Sequence, residues 1–139
     1  MSRKSAKSVL PERKTIMVVD DDESIRLLIG SYFEKDYNVI FMSNGQEALM
    51  HIRDVIIPDL VLLDMEMPHM NGRVFLRRIK YSPEHSHIPV IFISSVNSRL
   101  IINSMIKLGI VDYIVKPFKP DELIEKVQNV LNGKVDELT

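Results

Sequence analysis

The sequence contains no cysteine and no tryptophan, and only four histidines among its 139 residues. The lack of cysteine excludes disulfide bonds and thiolate metal sites, and four histidines offer few ligands for zinc. The net charge of −1 creates no overall field that would attract nucleic acid or a membrane surface. No apolar run approaches the roughly 18 residues of a transmembrane helix. We therefore expect a cytoplasmic protein that binds neither nucleic acid nor a membrane.

The length predicts one domain with a sizeable hydrophobic core. Residues 1–14 are polar and basic and have no hydrophobic signal sequence, so we expect a flexible N-terminal tail there. The domain itself is predicted over residues 15–133. Residues 134–139 are expected to form a C-terminal tail or the start of a linker.

Strand-like and helix-like segments alternate five times along this domain. Short aliphatic runs predict strands at 16–19, 38–42, 60–63, 90–93 and 113–115. Apolar residues at helical spacing, with turn residues at the ends, predict helices at 25–33, 48–55, 72–81, 101–108 and 120–131. A βα unit repeated five times indicates a parallel sheet with helices on both faces. Since a closed barrel needs about 250 residues, we predict an open, doubly wound sheet with strand order 2-1-3-4-5.

Several polar side chains follow the predicted strands directly and should therefore meet at one edge of the sheet. They are Asp20, Asp21, Asp64, Ser94 and Lys116. Three carboxylates so placed repel one another by about 4 kcal/mol per pair at 4 Å and an effective dielectric constant near 20, and therefore need a cation. Oxygen ligands select Mg²⁺, or else Mn²⁺ or Ca²⁺. Together with a lysine and a hydroxyl, such a site is suited to phosphoryl transfer onto an aspartate.

Each of these residues, taken alone, also has a structural interpretation. The acidic run that begins at Asp20 could cap a helix N-terminus, and Asp64 could cap the following helix. Ser94 could be a turn residue and Lys116 an ordinary surface lysine. Tyr113 alternates with Val115 in the last strand, which is typical of a core aromatic residue.

Four segments carry a resemblance to a known family. They are IMVVDDDE at 16–23, LLDMEMPHMNG at 62–72, PVIFISS at 89–95 and DYIVKPF at 112–118. In this order and on these strands they resemble the motifs of the receiver domains of two-component response regulators, and the resemblance covers about residues 15–131. It implies a flavodoxin-like fold and a regulatory role rather than turnover of a separate substrate.

The resemblance also implies roles for individual residues. Asp64 would accept a phosphoryl group from a histidine kinase or a phosphotransfer protein. Asp21, Asp64 and the backbone carbonyl of Glu66 would bind Mg²⁺, with Asp20 acting through water. The remaining implied residues are the phosphate ligands Ser94 and Lys116, the switch aromatic Tyr113, and Pro117, preceded by a cis peptide bond.

The implied switch involves the surface formed by the fourth helix, the fifth strand and the fifth helix. Ile102 and Ile106 lie beside the predicted buried stripe of the fourth helix, so we expect them to be exposed partner contacts or to widen the buried face.

Two positions depart from the family pattern. Ile110 stands where a small residue is common, and Ser95 stands where alanine is frequent.

An alternative from another class is a haloacid-dehalogenase-like phosphatase. The spacing Asp20-x-Asp22-x-Ser24 fits the nucleophile motif of that family and would make Asp20 the nucleophile. The chain is short for such an enzyme and offers neither a cap domain nor the late acidic pair that would hold its metal. The two hypotheses differ in which aspartate is phosphorylated.

Overall fold

The structure, a computed structural model, describes residues 10–67 and 70–134. Five strands are present: β1 (Thr15–Val19), β2 (Asn38–Met42), β3 (Leu60–Asp64), β4 (Val90–Ser94) and β5 (Asp112–Val115). Five helices alternate with them: α1 (Glu23–Phe33), α2 (Gly45–Asp54), α3 (Gly72–Lys80), α4 (Arg99–Leu108) and α5 (Pro120–Leu131). The predicted alternation of strand and helix is confirmed.

All strand pairs of the sheet are parallel, and the strand order is β2-β1-β3-β4-β5. This confirms the predicted doubly wound, flavodoxin-like fold. Val19 pairs with Leu63, so Asp20 and Asp64 occupy the next position on two neighbouring strands. Ser94 pairs with Val115 and brings Lys116 to the same edge. The topology alone therefore gathers the acidic and basic residues predicted from the sequence.

The core has one half on each face of the sheet. Alternate residues of β1 show the division, since Met17 and Val19 belong to one half and Ile16 and Val18 to the other. The first half includes buried residues of α2, α3 and α4, and the second includes residues of α1 and α5. Burial on both faces explains why β1, β3 and β4 read as continuous apolar runs.

Several apolar residues that share a predicted helix with core residues lie at the surface, among them Val55, which the spacing assigned to the second helix and which is 68% exposed. Leu28 of α1 is 45% exposed, whereas Ile29 and Phe33 are buried. Val74 of α3 is 37% exposed beside the buried Phe75. Helical spacing identifies the buried side of a helix, but how far that side extends depends on the packing of the neighbouring elements.

The N-terminal segment differs from the prediction over residues 10–14. Asn38 accepts a hydrogen bond from the Leu10 N–H at 2.7 Å and donates to the carbonyls of Leu10 and Arg13. The ammonium group of Lys14 donates to the Leu131 carbonyl, at the end of α5. These bonds attach residues 10–14 to the domain. The rest of the predicted tail, residues 1–9, and residues 135–139 lie outside the described residues.

In the part of the chain that the structure describes, the helices are all too short or too polar to cross a bilayer.

Candidate phosphorylation site

Three carboxylates converge at the carboxyl ends of β1 and β3. Asp20, Asp21 and Asp64 each place an oxygen within 4.8 Å of the others. Asp20 and Asp64 are 2% and 4% exposed, while Asp21 is at the surface. Two buried acids and one exposed acid form a pocket of carboxylate oxygens that is open to solvent on one side.

The pKa of Asp64 is raised to about 6. Burial is the largest cause and the negative charge of Asp20 adds to it, whereas the positive charge of Lys116 opposes both. The Glu66 N–H contributes a long hydrogen bond of 3.4 Å to Oδ1 of Asp64. The pKa of Asp20 is also raised, mainly by burial, although the Asp22 N–H donates to its Oδ1 at 2.9 Å. The negative charges of Asp20 and Asp64 are therefore only partly compensated by their surroundings.

Lys116 supplies the positive charge nearest to these acids. Its Nζ lies 3.5 Å from Oδ1 of Asp64 and 3.6 Å from Oδ2 of Asp20. The Lys116 N–H donates to the Ser94 carbonyl at 2.8 Å, and the peptide bond between Lys116 and Pro117 is cis. The lysine is thus fixed through the backbone of β4, and its side chain bridges the two buried acids.

Asp22 has a different role from its acidic neighbours. Its side chain is the N-cap of α1 and accepts hydrogen bonds from the N–H groups of Ser24 and Ile25. The Ser24 hydroxyl also donates to it, which lowers the pKa of Asp22. The capping interpretation therefore holds for Asp22, and Asp20 and Asp21 are left for the carboxylate cluster. The Asp22–Ser24 pair of the alternative phosphatase motif is engaged in this cap.

The carboxylate cluster fits a magnesium ion. Its donors are all oxygens, as Mg²⁺ prefers, and the ammonium group of Lys116 lies within 4 Å of two of its three carboxylates, those of Asp20 and Asp64. A divalent cation would offset the remaining negative charge. The Glu66 N–H donates to Asp64, so the peptide bond between Met65 and Glu66 lies beside the same carboxylate.

Ser94 is buried at the end of β4, but its hydroxyl is engaged locally. Its Oγ accepts a hydrogen bond from the Val96 N–H at 3.0 Å and lies 3.8 Å from the sulfur of Met65. Tyr113 is half-buried and packs against the core half that contains Phe92 and Met105. Ser94 therefore lies next to the cluster, and Tyr113 packs behind it on the α4 side.

Ile102 and Ile106 are both half-buried, and Ile106 packs against the core. Ile106 therefore widens the buried face of α4, the second of the two expectations, and partner contact by either residue stays a prediction. The exposed apolar residue of α4 is Leu100, which is 82% exposed at the first turn. The sequence pattern did not single it out.

Two further features of the site were missed from the sequence. A Cβ atom at Gly72 would lie 2.8 Å from the Asp64 carbonyl and 2.9 Å from Cα of Met65, so only glycine lets α3 approach this closely. The Ser95 hydroxyl donates to Glu66 at 3.1 Å and joins the loops after β3 and β4. Asn71-Gly72 could be recognised as a turn, but both contacts join segments that only the fold brings together.

Comparisons with known proteins agree with this geometry. The response regulator receiver domain family matches residues 16–128. Histidine kinase P4 of Formosa agariphila is 32% identical over 124 residues, which are 89% of this chain and 9% of the kinase. The 3',5'-cyclic-nucleotide phosphodiesterase regA of Dictyostelium discoideum is 37% identical over 127 residues, covering 88% of this chain and 16% of that protein. The chain thus spans a small part of either relative.

Solved structures lead to the same family. A CheY-like response regulator receiver domain protein from Methanospirillum hungatei superposes with a TM-score of 0.81 and 26% identity, covering 88% of this chain and 97% of that one. Chemotaxis protein CheY4 of Vibrio cholerae gives a TM-score of 0.79 at 25% identity, over 85% and 98% of the two chains. With the parallel sheet, the acidic cluster and the lysine in place, the chain belongs to the response regulator receiver domains, the phosphoacceptor modules of two-component signalling.

Proposed function

We propose that Asp64 is the phosphoacceptor of this receiver domain. The observation that carries the proposal is the position of Asp64, buried at the end of β3 between an acidic pair and the ammonium group of Lys116. With a pKa of about 6, most of this carboxylate is ionised at neutral pH and able to act as a nucleophile. Its location at the open edge of the sheet gives a phosphodonor access from solvent.

The proposed reaction moves one phosphoryl group. A carboxylate oxygen of Asp64 attacks the phosphorus atom of a phosphohistidine, a P–O bond forms, and the P–N bond breaks. The histidine nitrogen of the donor takes up a proton from solvent, and attack of water on phosphorus later returns the free carboxylate and inorganic phosphate. Lys116 lies where its charge offsets the negative charge that the phosphoryl oxygens bring.

We assign Mg²⁺ to the carboxylate cluster, with Asp21, Asp64 and the backbone carbonyl of Glu66 as ligands and Asp20 acting through water. Bound Mg²⁺ supplies positive charge next to the phosphoryl oxygens. The chain's own contribution is to hold two buried carboxylates together at an energetic cost that a bound cation would offset. The support for this assignment is the set of oxygen donors and the raised pKa values of Asp20 and Asp64.

The proposed output is a rearrangement of the surface formed by α4, β5 and α5. Phosphorylation adds negative charge and acceptor oxygens at Asp64, which would draw in the hydroxyl of Ser94 and the ammonium group of Lys116. Ser94 is bonded to Val96 in this structure, so its movement would shift the loop that leads into α4. Tyr113 packs against α4 and would respond to that shift.

The protein would act in the cytoplasm, and its proposed phosphodonor is a histidine kinase or a phosphotransfer protein. The protein would act as a regulatory phosphoacceptor that catalyses only its own phosphorylation and dephosphorylation. A downstream partner or a fused output domain, rather than nucleic acid or a membrane, would bind the switched surface.

The test uses acetyl phosphate as a small phosphodonor and intact mass as the readout. We expect a gain of one phosphoryl group in the wild type with Mg²⁺, no gain with EDTA, and no gain in Asp64→Asn. Asp22→Asn is the matched control, because asparagine preserves the N-cap of α1 and Asp22 is outside the cluster. Phosphorylation of Asp64→Asn at the wild-type level would contradict the proposal.

A further inference from the structure

The hydrogen bond between Ser95 and Glu66 joins the two loops that follow β3 and β4. The Ser95 hydroxyl donates to Oε1 of Glu66 at 3.1 Å, and both residues are at the surface. Glu66 follows Asp64 by two residues, and Ser95 follows Ser94 directly. The bond caps neither adjoining helix, since α3 is capped by Asn71 and Ser98 precedes α4. Its evident effect is to join the two loops that flank Asp64.

The segment that Glu66 holds is the one that fixes the hydroxyl of Ser94. The Ser94 hydroxyl accepts a hydrogen bond from the Val96 N–H. Ser95 lies between these two residues, and its hydroxyl donates to Glu66. The Ser94 carbonyl stays bonded to the Lys116 N–H. If a phosphoryl group on Asp64 draws the Ser94 hydroxyl away from the Val96 N–H, Ser95, which lies between these two residues, is expected to move with it. The two hydrogen bonds are therefore expected to break together.

We propose that Glu66 is a positioning residue, whose hydrogen bond to Ser95 holds the Ser94 hydroxyl in its resting position until phosphorylation of Asp64 releases it. This inference rests on the proposed function of Asp64. The phosphoryl group brings negative charge close to the carboxylate of Glu66, two residues away, and like charges repel. The modification thus weakens the bond that opposes the movement of Ser94.

The size of the effect follows from linkage. A hydrogen bond of this kind is worth about 0.5–1.5 kcal/mol, which is roughly a two- to tenfold change in an equilibrium constant. If the bond exists only in the resting state, a phosphoryl analogue that binds the released state has its apparent affinity reduced by that factor. Removing the bond should therefore raise the affinity for the analogue.

The experiment titrates beryllofluoride in the presence of Mg²⁺ and follows amide resonances by NMR. We expect Ser95→Ala to bind beryllofluoride about two- to tenfold more tightly than the wild type. Its Val96 amide should also exchange with deuterium faster before the analogue is added. Ser95→Thr keeps the hydroxyl and should match the wild type. The control Ser98→Ala removes a serine of the same loop whose side chain makes no capping bond, and it should also match the wild type.

A double-mutant cycle tests the partner. In a Glu66→Ala background, Ser95→Ala should no longer change the affinity, because the acceptor is absent. Equal affinity of Ser95→Ala and the wild type, or an undiminished effect in the Glu66→Ala background, would overturn the inference while leaving the proposed function intact. A wild type that binds no beryllofluoride in a Mg²⁺-dependent manner would instead overturn the proposed function, and the inference with it.

Discussion

The ammonium group of Lys116 lies 3.5 Å from Oδ1 of Asp64, and the same nitrogen lies 3.6 Å from Oδ2 of Asp20. One cation is thus shared by two buried carboxylates that come from different strands. This arrangement leaves the site with uncompensated negative charge, and from that charge we expect the site to bind a divalent cation and to be sensitive to substitution.

Loss of Lys116 should destabilise the apo protein. Lys116→Met leaves two buried carboxylates facing each other without a cation, which we expect to lower the free energy of unfolding by about 1–3 kcal/mol at pH 7. Urea denaturation with EDTA present measures this change. The control is Lys126→Met, which breaks the more exposed ion pair with Asp112 and should cost less than about 1 kcal/mol. A smaller loss for Lys116→Met than for Lys126→Met would contradict the account.

The stability of the apo protein should depend on pH through Asp64. Its folded-state pKa, about 6, lies above the ordinary value of 3.8, so the folded state binds the proton more tightly than the unfolded state. The stabilisation is complete below about pH 4 and is lost as the pH rises through 6. Asp64→Asn removes this ionisation and should be more stable than the wild type at pH 7.5 by on the order of 3 kcal/mol.

Urea denaturation of both proteins between pH 4 and pH 8, with EDTA present, measures this difference. The gap between Asp64→Asn and the wild type should close toward pH 4. A difference in the free energy of unfolding that does not change with pH would show that folding does not raise the pKa of Asp64.

Magnesium should stabilise the wild type through the carboxylate cluster. At ten times the dissociation constant, a ligand that binds only the folded state adds about 1.4 kcal/mol to the free energy of unfolding. We expect Asp21→Asn to lose most of this increment in thermal denaturation. Asp22→Asn should keep it, since Asp22 lies outside the cluster and asparagine is an equally good N-cap. An equal increment in both variants would place the metal elsewhere.

Gly72 should be far less tolerant of a side chain than Gly45. The added methyl group of Gly72→Ala would press on the backbone of Asp64 and Met65, and we expect a loss of about 1–3 kcal/mol together with weaker Mg²⁺ binding. At Gly45, the nearest atoms at 3.2 Å belong to the flexible side chain of Met70. Gly45→Ala should therefore lie within about 1 kcal/mol of the wild type. Urea denaturation and Mg²⁺ titration of both variants check the contrast.

Local patterns predicted the fold and the approximate composition of the site, because both depend on where buried strands end. The apolar run 60–63 and the carboxylate after it predicted that Asp64 lies at the carboxyl end of a buried strand in a parallel sheet. Contacts between distant segments were not predictable in this way. The Ser95–Glu66 hydrogen bond, the attachment of Leu10 to Asn38 and the close approach at Gly72 all depend on distances set by the folded chain.

Locating the modified residue shows whether Asp64 accepts the phosphoryl group. The wild type would be treated with acetyl phosphate and Mg²⁺, quenched with borohydride, which reduces an aspartyl phosphate to homoserine, and digested for peptide mapping. The account predicts homoserine at position 64 only, and none when EDTA replaces Mg²⁺. Homoserine at position 20 would contradict the account and support the alternative phosphatase mechanism with Asp20 as nucleophile.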